Sequence, residues 1–316
     1  MESTTNKLSS PRQWSTGNLW AARIALLLFI PMLVACLATP ASAAWEGYFA
    51  GSVPYAIVAA GTTQVWALDT SGNIYQYNSS TNKFDSIPGN LVQIAVGTGN
   101  TVWGLDLSGD IHQYDFKTKK FQKVTGKLRT IAAGGQGIWG VNASDVTYVW
   151  DSVTKSFQKP LHGGPSNARS IFVGSYEIGV WVLDGTLSGG NAWLYNTNND
   201  YFDETNGVLY QIAVGNDEVW GVASDNTVWE YDVTTEKWIK PDPSALLVQM
   251  AAGTDSNIWG VDILGAVYNY DQTTKEFVNQ NAKSKGGSIL IIQQISVSAG
   301  TAGVWGVDID GTIWKK

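Results

Sequence analysis

The chain of 316 residues carries 34 glycines and 15 tryptophans, a turn-rich, aromatic composition suited to many short strands in one closed domain. Its formal net charge of -7 becomes -9 once residues 1–43, with Glu2 against Lys7, Arg12 and Arg23, are set aside, which excludes nucleic acid and anionic membrane surfaces as natural partners. The single cysteine, Cys36, excludes a disulfide framework, so stability must come from packing.

The first element is an apolar stretch, Ile24–Leu37, preceded by Arg12 and Arg23 and followed by Ala41-Ser42-Ala43. Those are the charged, apolar and small-residue parts of a secretory signal, with cleavage after Ala43. Leu33-Val34-Ala35-Cys36 offers a second reading as a bacterial lipobox, which would anchor the protein through Cys36. The stretch is short for a membrane span. Either processing route places the mature domain, residues 44–316, outside the cytoplasm, secreted or periplasmic.

From there the chain repeats. A strand-like segment, Trp45-Glu46-Gly47-Tyr48-Phe49, precedes seven copies of a Val-Trp-Gly-Leu-Asp-like motif whose tryptophans are Trp66, Trp103, Trp139, Trp181, Trp220, Trp259 and Trp305. By subtraction they lie 37, 36, 42, 39, 39 and 46 residues apart, the period of a repeat architecture. Each unit reads as four short strands, in the second unit Val92–Gly97, Thr101–Asp106, Ile111–Asp115 and Phe121–Val124, separated by Gly, Asn, Asp, Ser or Lys-Thr turns. The seventh unit stops after its third strand at Ile313-Trp314-Lys315-Lys316. Trp45–Phe49 supplies the missing outer strand, and the exchange predicts an all-β, seven-bladed β-propeller of four-stranded antiparallel blades closed by the N-terminal strand.

The turn after the second strand fixes register. Asp69-Thr70-Ser71-Gly72-Asn73 and Asp106-Leu107-Ser108-Gly109-Asp110 have the pattern of a type I turn with a G1 bulge, and Asp145, Asn226, Gly265 and Gly311 occupy the equivalent third-loop position. Pairing Asp106 with Asp110 puts Leu105 opposite Ile111, Gly104 opposite His112 and Trp103 opposite Gln113. The second-strand tryptophans then face the interior between blades, and the first aromatic of the third strand lies on the other face.

The unit Gln93-Ile94-Ala95-Val96-Gly97, Thr101-Val102-Trp103-Gly104-Leu105-Asp106, Gly109-x-Ile111-x-x-Tyr114 closely resembles the tectonin repeat, from about residue 45 to 316. Tectonins are β-propeller lectins of fungi, slime moulds, fish eggs and bacteria. The resemblance implies binding of sugars, methylated glycans and lipopolysaccharide among them. The count of seven brings the chain nearer to seven-bladed bacterial lectins for fucose and O-methylated sugars.

Candidate binding residues recur at one level. Tyr75, His112, Tyr148, Trp193, Trp229, Tyr268 and Trp314 hold the first aromatic slot of strand three, and Asp69, Asp106, Asn142, Asp184, Asp262 and Asp308 lie beside them. A pyranose has an apolar C–H face and a hydroxyl rim, so a ring beside a carboxylate or amide supplies both halves of a site. The same residues also serve plain packing and turn capping. Gly104, Gly140, Gly221, Gly260 and Gly306 leave room opposite the ring, Ala67 narrows it, Val182 fills it opposite Trp193, and Ala223 replaces the carboxylate in blade five. An insertion around Leu187–Asn191 alters blade four. The second aromatics, Tyr77, Tyr114, Trp150, Tyr195, Tyr231 and Tyr270, read as packing.

His112 and His162 are the only histidines, and no nucleophile triad, His/Cys metal cluster or P-loop is visible. No metal or cofactor is expected, and no catalysis. The expected partners are glycans, on a polysaccharide, lipopolysaccharide or glycoprotein, bound weakly at each of several similar clefts and strongly through multivalency. A propeller enzyme (lyase or glycosidase) and a protein-binding scaffold are the alternatives.

Overall fold

Short runs of β-branched and aromatic residues, each ended by a turn residue, become strands. The computed structural model describes residues 44–48, 54–185, 189–254, 256–298 and 300–316. The secretory signal, its cleavage site and Cys36 lie outside the described residues, as do Phe49 and residues 186–188 of the blade-four insertion. In blade two the strands are Gln93–Val96, Val102–Leu105, Asp110–Asp115 and Lys120–Lys127. The outermost runs past the expected Val124 because Gly126, at φ 121°, lets it bulge and continue.

The described residues form seven antiparallel sheets of four strands, the expected seven-bladed propeller. Six blades are continuous in sequence. The seventh joins Ile292–Val297, Val304–Asp308 and Ile313–Lys315 to the N-terminal strand Glu46–Tyr48. Glu46 lies opposite Lys315 and Tyr48 opposite Ile313. The register within blades is the expected one: Trp103 faces Gln113, Gly104 faces His112 and Leu105 faces Ile111. Positive φ falls on Gly72, Gly109, Asp145, Asn226, Gly265 and Gly311, the third-loop residues.

The core is a set of wedges between blades. All seven second-strand tryptophans are buried. Trp66 meets Tyr114 of the next blade edge to face at 4.7 Å, and the same contact returns as Trp103–Trp150, Trp139–Tyr195, Trp181–Tyr231, Trp220–Tyr270 and Trp305–Tyr77. An outer-strand ring backs each pair: Phe121, Phe157, Phe202, Trp238, Phe277 and Phe84. At the seventh wedge Trp259 receives Lys316, whose Nζ stands 4.2 Å from the ring centroid, and Trp45 edge-on at 6.3 Å. Trp45 thus fills the outer-strand aromatic slot of the shared blade.

Around the axis the blades are tied by amides. Gln211 accepts from Met250 N and donates to Met250 O, both at 2.9 Å, and Gln93, Gln249 and Gln294 make the same pair of hydrogen bonds to Ile131, Ile295 and Val58 of the following blade. Just beyond, Gly61, Gly97, Gly134, Gly174, Gly215 and Gly253 let neighbouring inner strands approach closely. A Cβ at Gly134 would lie 2.4 Å from Val173 O. The seventh position is Ser298, whose buried hydroxyl donates to Gly61 O at 2.7 Å.

Candidate functional site

The aspartate after the second strand caps its turn with one oxygen. Asp69 Oδ1 accepts from the backbone N–H of Ser71 and Asn73, both at 2.9 Å. Asp106, Asn142, Asp262 and Asp308 repeat this with their own turns, and Asp184 does so with Asn191 N. The second oxygen takes the ring. Tyr75 and Tyr268 hydroxyls donate to Asp69 and Asp262 at 3.0 and 3.2 Å, and Trp193 and Trp314 indole N–H groups donate to Asp184 and Asp308 at 2.9 and 2.7 Å. His112 Nε2 lies 3.0 Å from Asp106 Oδ2. The proposed aromatic and carboxylate sets therefore come together in five blades, bonded to each other.

Two blades differ. Tyr148 of blade three makes no such bond to Asn142 among the described residues, and its ring packs against the cluster that holds Trp103 and Leu128. In blade five, where Ala223 stands in place of the carboxylate, Trp229 is not left without a polar partner. Asp225 holds the Thr227 hydroxyl at 2.7 Å, and that hydroxyl accepts the Trp229 N–H at 3.1 Å. Lys240 Nζ also lies 4.7 Å from the Trp229 ring centroid, covering one face.

All seven rings are half-buried, unlike the buried second-strand tryptophans. Burial disfavours the charge of Asp69, but the Asn73 side chain and the turn N–H groups outweigh it and hold the carboxyl below its ordinary value. Asp106 behaves alike, with His112 as its strongest stabilising partner. Burial, then the neighbouring carboxylates, push the Tyr75 and Tyr268 hydroxyls up. Asp69 and Asp106 are thus held as anions that clamp their rings, and in all five bonded blades part of an aromatic face remains as the contact surface.

The glycines opposite the rings do not leave the expected open space. A Cβ at Gly104 would lie 2.4 Å from Leu91 Cδ1, and Gly140, Gly221, Gly260 and Gly306 are filled in the same way by Leu128, Leu209, Leu247 and Ile292. In blades two, three, five and six the residue two places before the inner strand's first paired position takes the slot, and in blade seven it is Ile292, itself paired with Asp308. Where the facing residue is Val182 the equivalent is Ala168, and both are fully buried in one cluster. Volume is conserved, so glycine and leucine act as one packing unit and blade four is as closed as the rest.

The axial channel narrows to a cavity of about 100 Å³ lined by the inner-strand glycines. That is space for a few waters, at about 30 Å³ each in the liquid, and not for a hexose. Sequence reasoning passed over the glutamines that tie the blades, although Gln93 stands in the repeat motif itself. Among the described residues no group of three or more His, Cys, Asp or Glu side chains is placed to hold a metal ion.

The family model for the Tectonin domain matches residues 54–181 and again 167–316. No curated protein matches the chain. Among solved structures it is similar to U3-55K, with a TM-score of 0.66 at 10% identity over 87% of this chain and 99% of that one. It is also similar to the RRP9 WD40 repeats, with a TM-score of 0.65 at 11% identity over 87% and 97%. A third is Prp20p from Saccharomyces cerevisiae, described with its binding to Gsp1p and histones, with a TM-score of 0.60 at 13% identity over 83% and 82%. At such identities these three share the fold alone.

Proposed function

Because the chain belongs to the tectonin family, we propose that it is a non-enzymatic, multivalent carbohydrate-binding propeller that works outside the cytoplasm on glycans of a cell surface or polysaccharide. One observation carries this reading: half-buried rings recur at one end of the blades, and five of them are oriented by a bond from the ring's polar edge to the residue that caps its own turn. A pre-oriented aromatic face costs little ordering on binding and suits the C–H face of a sugar. Similar weak sites on one rigid ring gain affinity on a repetitive surface. O-methylated sugars fit the same surfaces, since a methyl ether adds apolar contact without a donor that would need a partner.

A protein-binding scaffold is the second reading, and one patch favours it. Ile263, Leu264, Ile291 and Ile309 are exposed by 68, 68, 44 and 53% at neighbouring turns of blades six and seven. Ile309 N donates to Ile291 O at 3.2 Å within blade seven, and Ile292 N donates to Gly265 O at 2.9 Å, which joins the patch across the two blades. A glycan array separates the readings. The lectin is expected to bind surface polysaccharides and to weaken on Trp314→Ala. Capture of protein partners with no glycan bound would support the scaffold instead.

A further inference from the structure

Antiparallel pairing puts the turns between first and second strands at the opposite end of each blade from the aspartate turns. A cavity of about 460 Å³ opens there beside the channel mouth, bounded by Ser175, Tyr176, Glu177, Asn216, Asp217 and Thr254 of blades four, five and six. Its volume falls within the usual range for small-ligand sites. Tyr176 is the sole aromatic residue in the seven first-to-second-strand turns of the sequence, and its side chain is 75% exposed.

The loop beneath that ring is fixed on both sides. Gln136 of blade three donates to Tyr176 O at 2.7 Å, and the Ser175 hydroxyl donates to Asn216 O of blade five at 2.5 Å. Gly179 N closes the turn on Ser175 O at 3.1 Å, and buried Ile178 pins its base. The ring is therefore held out in solvent by an ordered backbone. The side chains around it contrast with the aspartates of the other face. Glu177 and Asp217 are exposed and take part in no ion pair among the described residues, and Asn216 and Thr254 present an amide and a hydroxyl with no side-chain hydrogen bond there.

We propose that this cavity is a subsite for a protonated amino sugar, whose C–H face lies on Tyr176 while its ammonium sits between Glu177 and Asp217 and its hydroxyls reach Asn216 and Thr254. The inference rests on the carbohydrate-binding reading and narrows it at this one place. A neutral sugar would satisfy the ring but leave two carboxylates without a counter-charge. An ammonium supplies charge-assisted bonds to them, and its approach is aided by the net charge of -9 carried by residues 44–316. A lysine side chain would meet the carboxylates but has neither the broad C–H face nor the hydroxyls for the rest of the cavity.

The test titrates the protein calorimetrically with a glucosamine tetrasaccharide and with its fully N-acetylated counterpart, at a pH where the amines are protonated. The deacetylated oligomer is expected to bind more tightly, to weaken with salt, and to lose about tenfold in affinity on Tyr176→Ala. Asp217→Asn should lower the same affinity by a similar factor, and Val153→Ala, at an exposed turn outside both sets of proposed binding residues, should leave it unchanged. Equal binding of both oligomers, insensitive to Tyr176→Ala, overturns the subsite while the lectin reading stands on the other face. Absence of binding to either oligomer overturns the subsite, and only a blank glycan array would overturn the lectin reading with it. Tyr176-dependent binding of oligolysine without the glucosamine oligomer would reassign the cavity to a cationic protein segment.

Discussion

A tryptophan in this chain has one of two situations, and the difference is measurable. Trp103 is 1% exposed between Trp150 and Phe157 of the next blade. Trp103→Ala is expected to cost about 3–5 kcal/mol in chemical denaturation, as a buried aromatic truncation does. Trp229, half-buried and capped by Lys240, should cost less when changed to alanine. The glycine–leucine unit gives a second test. Gly104→Ala should destabilise by about 1–3 kcal/mol through overpacking against Leu91, and adding Leu91→Ala should recover part of the loss, as the Val182–Ala168 pairing does in blade four. A third concerns acid. The Asp69 carboxyl titrates lower folded than unfolded, so its contribution is fully present above the unfolded value of about 3.9 and is lost as pH falls through the folded value. Asp69→Asn should flatten the fall of stability below about pH 4, read from denaturation midpoints. At this scale the sequence reveals which aspartate meets which ring, because both lie on one hairpin whose register its turn dictates. The leucine in the glycine slot was hidden, because Leu91 precedes its strand and reaches the slot through a bend that no alternation pattern records.

Among the elements, the N-terminal strand is the one whose place depends on the rest of the chain. Its partner was legible: a seventh unit one strand short and a spare strand at the other end leave a single economical closure. What the sequence concealed was the register that makes Trp45 the counterpart of Phe121, since Trp45 falls just before the paired run Glu46–Tyr48. Deleting residues 44–48 should cost several kcal/mol, because Trp45 and Tyr48 are both buried and Ile313–Lys315 would become a bare edge. Thermal unfolding and light scattering check this, and an unchanged melting temperature with an unchanged monomer would refute it. The longer turn of blade four shows the opposite limit. A search for recurring positions finds what all blades share and passes over Tyr176, which occurs once.

For the whole molecule, the two ends of the blades have different chemistry. One carries rings that in five blades are bonded to the residue capping their own turn; the other carries exposed Tyr176 beside Glu177 and Asp217, which take part in no ion pair among the described residues. The shared blade also bears on how the molecule comes into being. Glu46 pairs with Lys315, so a contact made by nearly the first residue of the domain waits for nearly the last. Six blades can assemble as the chain emerges, each on its predecessor, but the circle stays open until the C-terminal residues arrive. During that interval the wedge around Trp259 lacks Trp45 and Lys316, and an unpaired strand faces solvent. Circle closure is then the slow, late step of folding, and the nascent protein is at its most adhesive just before it is finished.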